Sequence, residues 1–235
     1  MPLSGPLYAC EDPSVWRAVL DIYWDVIKAK GEKQKKLLAL EKWYQEELPA
    51  TVMGRQEKYL TRDELVKLME WKLTRGKFRP RLQQMVATNP GETVESCTRR
   101  AFKLLPDVEA AITELSQLKA IGPATASAVL AAGAPEEAAF MADEAVESVT
   151  DLTPIQYTIK HYSLYLNKIR DCVRKLKKAD PGTGWTPHRV EMCLWASAVA
   201  QKLCPLLLET LRSDPVKAYY DCDTGACPTK KQKTK

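Results

Sequence analysis

The sequence predicts an all-α protein on three observations. Ala, Leu, Glu and Lys dominate the composition, whereas residues typical of strands are sparse and Phe occurs only three times. Apolar residues recur at helical spacing, and no clean alternation of apolar and polar residues lasts for more than a few positions. The 235 residues are 45% hydrophobic, which is enough to bury a core in one large domain or two small ones.

The first region, residues 1–60, is predicted to contain helices that pack on the rest of the chain. Asp12 can cap a helix that has Pro13 at its first position, where a proline has no helical hydrogen bond to lose. Gly31 is expected to end this helix, and Pro49 is expected to close the next one.

The second region, residues 61–150, begins at a capping box in the segment TRDE. The Thr61 hydroxyl can accept a hydrogen bond from the Glu64 amide, and the Glu64 side chain can reach back to the Thr61 amide. Gly76 is predicted to end this helix in the left-handed conformation that glycine tolerates. Pro80 then starts another helix, and further helices are expected in the rest of the region.

The third region, residues 151–220, is predicted to hold two long helices. One starts near Pro154, and the other starts at Pro187 and runs to about Arg212. The basic end, residues 221–235, is predicted to be disordered. Its PTKKQKTK sequence is also typical of a nuclear-import signal, which indicates a nuclear protein.

Charge and cysteine content narrow the function classes. The net charge of +5 and the isoelectric point near 8.7 are compatible with nucleic acid without requiring it. Seven scattered cysteines are typical of reduced thiols in an intracellular protein. Only Cys222 and Cys227 lie close together, and with no second pair or nearby histidine they do not predict a zinc site. Without such a ligand set, no metal is expected. No stretch of about 20 apolar residues occurs, so no membrane span is expected.

A tight turn joins two apolar, alanine-rich stretches in LSQLKAIGPATASAVL, residues 115–130. Gly122 is predicted to take a positive φ and to let the backbone approach a ligand, and Pro123 presets the first position of the second helix. The amides at the start of that helix lack helical partners and lie at the positive end of its dipole. The turn is therefore predicted to hold a phosphate through the residues Ala120, Ile121, Gly122, Pro123, Ala124 and Thr125.

This segment resembles the helix-hairpin-helix element of DNA-repair glycosylases, whose usual form is Leu-x-x-Leu-x-Gly-Ile/Val-Gly-x-x-Thr/Lys-Ala. The matching residues are Leu115, Leu118, Ile121, Gly122, Thr125 and Ala126. A catalytic Asp follows the second helix in that superfamily, and here Asp143, in FMADEAV, lies 21 residues after Gly122. Upstream, DELVKLMEWKLTRGKFRPRL resembles the barrel helix before the DNA-wedging loop. The resemblance covers residues 61–150 and implies a glycosylase-like helical barrel with flanking N- and C-terminal helices.

Three positions depart from the family pattern. Ala120 replaces the first hairpin glycine, Ala124 stands where bifunctional glycosylases carry a Schiff-base lysine, and Ala145 replaces a histidine that often follows the catalytic Asp. No four-cysteine cluster with iron–sulfur spacing follows. The resemblance therefore implies a monofunctional enzyme without lyase chemistry and without a cofactor.

Asp143 has two interpretations. As a catalytic residue, its carboxylate would stabilise the oxocarbenium-like charge on the sugar and orient or deprotonate the attacking water, once the base has been flipped from the duplex. As a structural residue, it would cap the helix that starts in ADEAVESV.

The segment WKLTRGKFRPR concentrates positive charge at a helix end. Its basic residues are Lys72, Arg75, Lys77, Arg79 and Arg81. They suit phosphate contacts, although an ordinary solvated turn has the same composition. Phe78 either wedges into the space left by a flipped base or anchors the turn in the core, and we favour the core. His161 and His188 lack ligand partners at suitable spacing, so structural roles are expected. Trp185 and Trp195 are expected in the core.

The predicted function is binding of double-stranded DNA through the helix-hairpin-helix, in DNA repair. Monofunctional base excision, with an Asp143-activated water hydrolysing the N-glycosidic bond, is the chemical hypothesis. One alternative keeps the fold but has lost catalysis and acts in DNA binding or protein scaffolding. Another is a helical protein-interaction module without nucleic acid. Salt-dependent DNA affinity separates the first two from the third, and base release separates the first from the second.

Overall fold

The computed structural model describes the backbone of residues 7–213 and the side chains of residues 7–209. The predicted basic tail, residues 221–235 with Cys222 and Cys227, lies outside the described residues. The described part is helical and contains no β-strand, so the predicted all-α class is confirmed. Its α-helices are α1 (Pro13–Asp21), α2 (Tyr23–Gly31), α3 (Leu37–Lys42), α4 (Leu48–Met53), α5 (Arg62–Arg75), α6 (Pro80–Val86), α7 (Gly91–Lys103), α8 (Val108–Leu115), α9 (Pro123–Gly133), α10 (Asp143–Glu147), α11 (Ile159–Ala179), α12 (Pro187–Leu203) and α13 (Pro205–Ser213).

The first N-terminal helix begins at Pro13, as predicted, but the helical stretch that was expected to close at Pro49 continues past that residue. The Asp12 side chain accepts a hydrogen bond of 2.8 Å from the Ser14 amide, and α2 ends at Gly31. The prediction that Pro49 closes a helix is wrong. A π-helical turn, Trp43–Glu47, leads directly into α4, and Pro49 occupies the first turn of that helix, where the missing N–H costs nothing.

The capping box at the start of α5 is confirmed. The Glu64 amide donates to the Thr61 hydroxyl at 3.3 Å, and the Thr61 amide donates to the Glu64 carboxylate at 2.8 Å. The Arg55 guanidinium holds that carboxylate through two hydrogen bonds, at 3.0 and 2.7 Å. Gly76 ends α5 with φ −115° and ψ −131°, so the predicted left-handed cap is wrong.

The C-terminal helices are shorter than predicted. Thr158 caps α11 by accepting from the His161 amide at 3.2 Å, so this helix starts at Ile159, five residues after Pro154. The last long helix does start at Pro187, but Pro205 lies within its predicted length and separates α12 from α13. A proline in a helix interior removes a backbone donor and clashes with the preceding turn, which explains the break.

One continuous hydrophobic core runs from Leu7 to Leu208, so the N- and C-terminal helices share it with the central region. Helix α12 packs against α1, α2, α10 and α11. Trp185 and Trp195 are fully buried there, as predicted. None of the described helices is long and apolar enough to cross a membrane.

Helix α9 is buried along nearly its whole length, and its small side chains let neighbouring helices come close. The Tyr44 hydroxyl donates to the Ala128 carbonyl at 2.8 Å. At the far end, a Cβ on Gly133 would lie 2.5 Å from the Phe102 ring, so only glycine fits without a shift. These contacts fix α9 in the core and leave its N-terminal turn facing a cavity.

Candidate functional site

A single cavity gathers the three segments singled out in the sequence. It has a volume of about 350 Å³ and opens where the C-terminal turn of α5, the α8–α9 turn and the start of α10 meet. The apolar part of its wall comes from Leu82, Phe140, Met141 and Trp195. The predicted site residues that line it are Lys72, Arg75, Lys77, Arg79, Ala120, Gly122, Pro123, Ala124, Thr125 and Asp143.

The backbone of the α8–α9 turn differs from the prediction at two positions. Gly122 has φ −114° and ψ −177°, an extended conformation open to any residue, so the predicted positive φ is wrong. The left-handed residue is Ala120, with φ 66°, at the place where the glycosylase pattern has its first glycine. A non-glycine residue in this conformation carries roughly 1–2 kcal/mol of strain. At Gly122 a Cβ would meet nothing within 4 Å, so the absence of a side chain there keeps the cavity open.

The first turn of α9 offers free amides to the cavity. Gly122 is the N-cap residue, and the Thr125 and Ala126 amides donate to its carbonyl at 3.0 and 2.9 Å. Among the described backbone hydrogen bonds, none takes the amide of Gly122 or Ala124. Two N–H groups without a backbone partner at the positive end of a helix of this length suit an anion.

Two of the predicted hairpin residues serve the turn through packing. The side chains of Ile121 and Thr125 are buried, so any contact that they make with a ligand must come from the backbone. Ile121 does not line the cavity, whereas Ala120 and Ala124 do. The predicted phosphate contacts therefore reduce to the amides around Gly122.

Asn89, which the sequence reasoning missed, braces the turn from the end of α6. Its side-chain oxygen accepts from the Lys119 amide at 2.8 Å, and its side-chain nitrogen donates to the Lys119 carbonyl at 3.0 Å and to the Val86 carbonyl at 2.8 Å. Asn89 is buried. In the sequence it stands in TNPG, which indicates a turn but does not identify a partner 30 residues away.

Asp143 lies at the first position of α10, and the prediction that it caps this helix is wrong. Ala142 is the N-cap residue, and no side chain caps the helix. One Asp143 oxygen lies 2.8 Å from the Lys77 ammonium, and the other accepts a 2.8 Å hydrogen bond from the Tyr157 hydroxyl. The Asp143 side chain is 17% exposed, so its charge meets little screening by solvent.

The Asp143 carboxylate shifts the pKa values of both of its partners. The hydrogen bond to Asp143 raises the pKa of Lys77. Burial, followed by the hydrogen bond to Asp143, raises the pKa of Tyr157. No sequence pattern pointed to Tyr157, which belongs to the irregular segment before α11.

The basic run divides into exposed and buried members. Lys77, Arg79 and Arg81 are exposed, and the first two line the cavity, whereas Arg81 lies outside it. Arg75 is 1% exposed, so its predicted phosphate contact is wrong. Phe78 is 75% exposed, so the favoured core position is also wrong. The chain leaves α5 at Gly76 for the surface, where Lys77, Phe78 and Arg79 are exposed in succession.

Arg75 belongs instead to a buried polar cluster beneath the cavity, which we call the floor cluster. It consists of Arg75, Glu41 and Glu191 with the side chains that bind them. Arg75 donates to Glu191 at 3.0 Å and lies 3.7 Å from Glu41. The Trp71 indole donates to Glu41 at 2.8 Å, and Tyr23 also donates to that carboxylate. Each charge thereby has opposite charge or donors around it, as burial requires.

Aromatic rings and a histidine complete the surroundings of the floor cluster. The Arg75 guanidinium lies 4.1 Å from the centre of the Trp195 ring, a cation–π contact. Burial raises the pKa of Glu191 to about 7, against the opposing effect of Arg75. Burial, and then Arg75, lower the pKa of His188 to about 3, and its ring nitrogen lies 2.7 Å from the Gln45 side-chain oxygen. His188 is therefore a neutral, structural residue, as expected.

No protein-family model, curated protein sequence or solved structure matches this chain. Within residues 7–209, no group of three or more His, Cys, Asp or Glu side chains comes together in a way that could hold a metal ion. The cavity brings together exposed cations, two unpartnered amides and a low-exposure carboxylate. This combination can hold an anion beside a group that acquires positive charge.

Proposed function

We propose that this protein binds duplex DNA at the cavity and hydrolyses the N-glycosidic bond of a flipped nucleotide. The observation that carries the proposal is the convergence of Asp143, the N-terminus of α9 and the Lys77–Arg79 turn on one cavity. Two of these segments supply groups that suit phosphates, and the third supplies a carboxylate that suits the chemical step. Such an activity belongs to DNA repair and to the nucleus.

Phosphates of the DNA backbone would be held on two sides of the cavity. The Gly122 and Ala124 amides offer hydrogen bonds on one side, and the exposed Lys77 and Arg79 offer positive charge on the other. Phe78 stands between these two cations in the sequence and is exposed, so its apolar side chain is available to enter a base step and take the space of the flipped base.

The cavity suits one extrahelical nucleotide. Its volume of about 350 Å³ lies at the small end of ligand pockets, and Phe140 and Met141 give it an apolar wall. Asp143 would stabilise the cationic sugar as the base leaves and would orient the attacking water. Lys77 is 65% exposed, so its ammonium can turn towards a phosphate and release one oxygen of Asp143 for that water.

A catalytically inactive DNA-binding protein is the second candidate, and one observation favours it. Both carboxylate oxygens of Asp143 already have partners, Lys77 and Tyr157, so the carboxylate can act as a purely structural link between the basic turn and α10. In that case the phosphate contacts remain and the chemistry does not.

The proposal is tested with the purified protein and duplexes that carry a panel of alkylated, deaminated and oxidised bases. Alkaline cleavage of the products scores abasic sites, and equilibrium binding to the same duplexes is measured across a salt series. We expect base release from at least one lesion and a steep fall of affinity with salt. Binding without release on every duplex would favour the inactive protein, and no salt-dependent binding would refute both.

A further inference from the structure

Two cations at the cavity have no carboxylate to balance them. Lys72 is half-buried in the last turn of α5, Arg79 is exposed just beyond the end of that helix, and both line the cavity. Neither side chain makes a hydrogen bond or an ion pair with another residue in the part of the chain that the structure describes. Burial lowers the pKa of Lys72, because an ammonium without a partner is costly there, and Arg79 lowers it further against the opposing effect of Asp143.

The carboxylates that line the cavity do not balance these cations, because other lysines pair with them. One Asp143 oxygen lies 2.8 Å from the Lys77 ammonium, and the other accepts from the Tyr157 hydroxyl at 2.8 Å. The Glu144 carboxylate lies 4.0 Å from the ammonium of Lys30, which does not line the cavity. The cavity is therefore left with an excess of positive charge, which a bound anion would neutralise.

Two backbone amides in the same cavity indicate which anion fits. The Gly122 and Ala124 amides at the start of α9 take no described backbone hydrogen bond, and both residues line the cavity. The terminal phosphate of a monoester carries nearly two negative charges and three free oxygens, so it can use both cations and both amides. A phosphodiester of DNA carries a single charge and would leave part of the excess unbalanced.

A hydrogen-bond donor without an acceptor lies in the wall of the cavity. Trp195 is fully buried and lines the cavity, and its indole N–H has no hydrogen-bond partner within residues 7–209. Phe140 and Met141 add apolar surface to the wall. A buried donor without an acceptor is destabilising, and apolar surface favours a flat ring. A ring that carries a carbonyl oxygen would supply both the missing acceptor and the apolar contact.

We propose that the cavity binds a nucleoside 5′-monophosphate, with its phosphate at Lys72, Arg79 and the start of α9 and its base against Trp195. The volume of about 350 Å³ lies at the small end of ligand pockets, which suits a single mononucleotide. The Trp195 N–H favours a base with carbonyl oxygens, such as thymine, over adenine, which has none. The ligand is a free nucleotide or the 5′-phosphorylated end of a DNA strand, since both present the same monoester. This binding requires no base excision, so it does not rest on the proposed function.

Calorimetric titration of the full-length protein with thymidine 5′-monophosphate and with thymidine tests the phosphate contacts. The two probes differ only in the phosphate, so we expect the monophosphate to bind at least about tenfold more tightly. Deoxyadenosine 5′-monophosphate should bind more weakly than the thymidine nucleotide. Equal affinity of the monophosphate and the nucleoside would refute the proposal for a free nucleotide, and so would no binding of either.

Lys72→Gln combined with Arg79→Gln removes the unbalanced charges and should abolish the advantage of the monophosphate over thymidine. The matched control is Arg81→Gln combined with Lys160→Gln, which removes the same charges from two exposed residues outside the cavity. Circular dichroism should show that both double variants fold like the parent. An advantage as large as that of the parent in the first variant, or equal losses in both, would refute the placement of the phosphate.

Trp195→Phe tests the placement of the base, because it keeps a ring in the wall and removes the N–H. We expect this variant to bind the thymidine and deoxyadenosine nucleotides with similar affinity. If the variant does not fold, the two nucleotides still decide the point on the parent protein, since equal affinities there would refute a base contact with Trp195.

Duplexes that end in a 5′-phosphate or a 5′-hydroxyl distinguish the two sources of the monoester. Binding of thymidine monophosphate that depends on Lys72 and Arg79 supports the free nucleotide. A preference for the 5′-phosphorylated duplex without binding of the nucleotide supports the monoester site with DNA ends as the source. No dependence on the phosphate with either kind of probe refutes the proposal. None of these outcomes requires base release, so this proposal and the proposed function fail separately.

Discussion

The cavity and the floor cluster beneath it use similar charged side chains, but the floor cluster is closed and the cavity is open. Arg75 in the floor cluster is surrounded by Glu41, Glu191 and aromatic rings. One turn earlier on α5, Lys72 makes no hydrogen bond or ion pair with another described residue, and it borders open space. Buried charges that have found partners contribute to a unique fold, whereas unpartnered groups beside a cavity remain available to a ligand. The comparison predicts that changes in the floor cluster alter stability and that changes at the cavity alter function.

The largest effect is expected from Arg75→Met, which would leave two buried carboxylates without their cation. Removing one partner of a buried ion pair costs about 3–5 kcal/mol of the free energy of unfolding, because the remaining charge is uncompensated. Urea denaturation followed by circular dichroism measures the loss. Arg81→Met makes the same change at an exposed arginine and should alter stability by no more than about 0.5 kcal/mol. Equal stability of the two variants would mean that the floor cluster does not hold the fold together.

The next largest effect is expected on base release at the cavity. Asp143→Asn keeps the size of the side chain and removes the charge, and since Asp143 does not cap α10, no capping hydrogen bond is lost. We expect base release to fall by roughly 10²–10³-fold, the range typical for removal of one electrostatic stabiliser of a transition state. Binding of DNA should persist. Single-turnover release on the best lesion duplex measures the effect.

The control for the carboxylate is Glu147→Gln, which removes a charge from the same helix at an exposed position outside the cavity. It should release bases like the parent. If Asp143→Asn also releases bases at the parental rate, Asp143 is only a structural link to Lys77 and Tyr157, and the cavity contains no catalytic role for this carboxylate.

A smaller effect is expected on DNA affinity from the double variant Lys77→Ala with Arg79→Ala. Each phosphate contact contributes a slope of about 0.9 to the fall of log affinity with log salt, so the slope should decrease by up to about two units. Fluorescence anisotropy with a labelled duplex across a salt series gives the slope. The control removes Lys177 and Lys178, two exposed lysines near the end of α11 and outside the cavity, and should leave more of the slope intact. Indistinguishable slopes for the two double variants would exclude the Lys77–Arg79 turn from the interface.

Local signals in the sequence identified much of the open side. The Thr61 capping box marks the start of α5, whose last turn lines the cavity, and the Gly122-Pro123 pair and Asp143 line it themselves. The floor cluster could not be predicted from such local signals. Arg75 and Lys77 stand in one basic run, and only the position of Glu191, 116 residues from Arg75, makes Arg75 a buried residue. The conformation of the turn was misassigned because glycine permits a positive φ without requiring it.

The smallest effect, and the one that most sharpens the comparison, is expected from Ala120→Gly. Ala120 has φ 66°, which costs an alanine roughly 1–2 kcal/mol, whereas the added flexibility of glycine in the unfolded chain costs about 0.4–1 kcal/mol. The variant should therefore be more stable than the parent by about 0.5–1 kcal/mol, as measured by urea denaturation. Ala87→Gly is the control, because Ala87 is also near the surface but has φ −65°, so glycine brings only its entropic cost and should destabilise the protein. Opposite signs for the two variants would mean that the turn at the cavity holds strain that the rest of the fold sustains, as strained backbones at functional sites do. A loss of stability in both variants would mean that the Ala120 conformation costs less free energy than the flexibility that glycine adds to the unfolded chain. The cavity would then differ from the floor cluster only in its groups without partners.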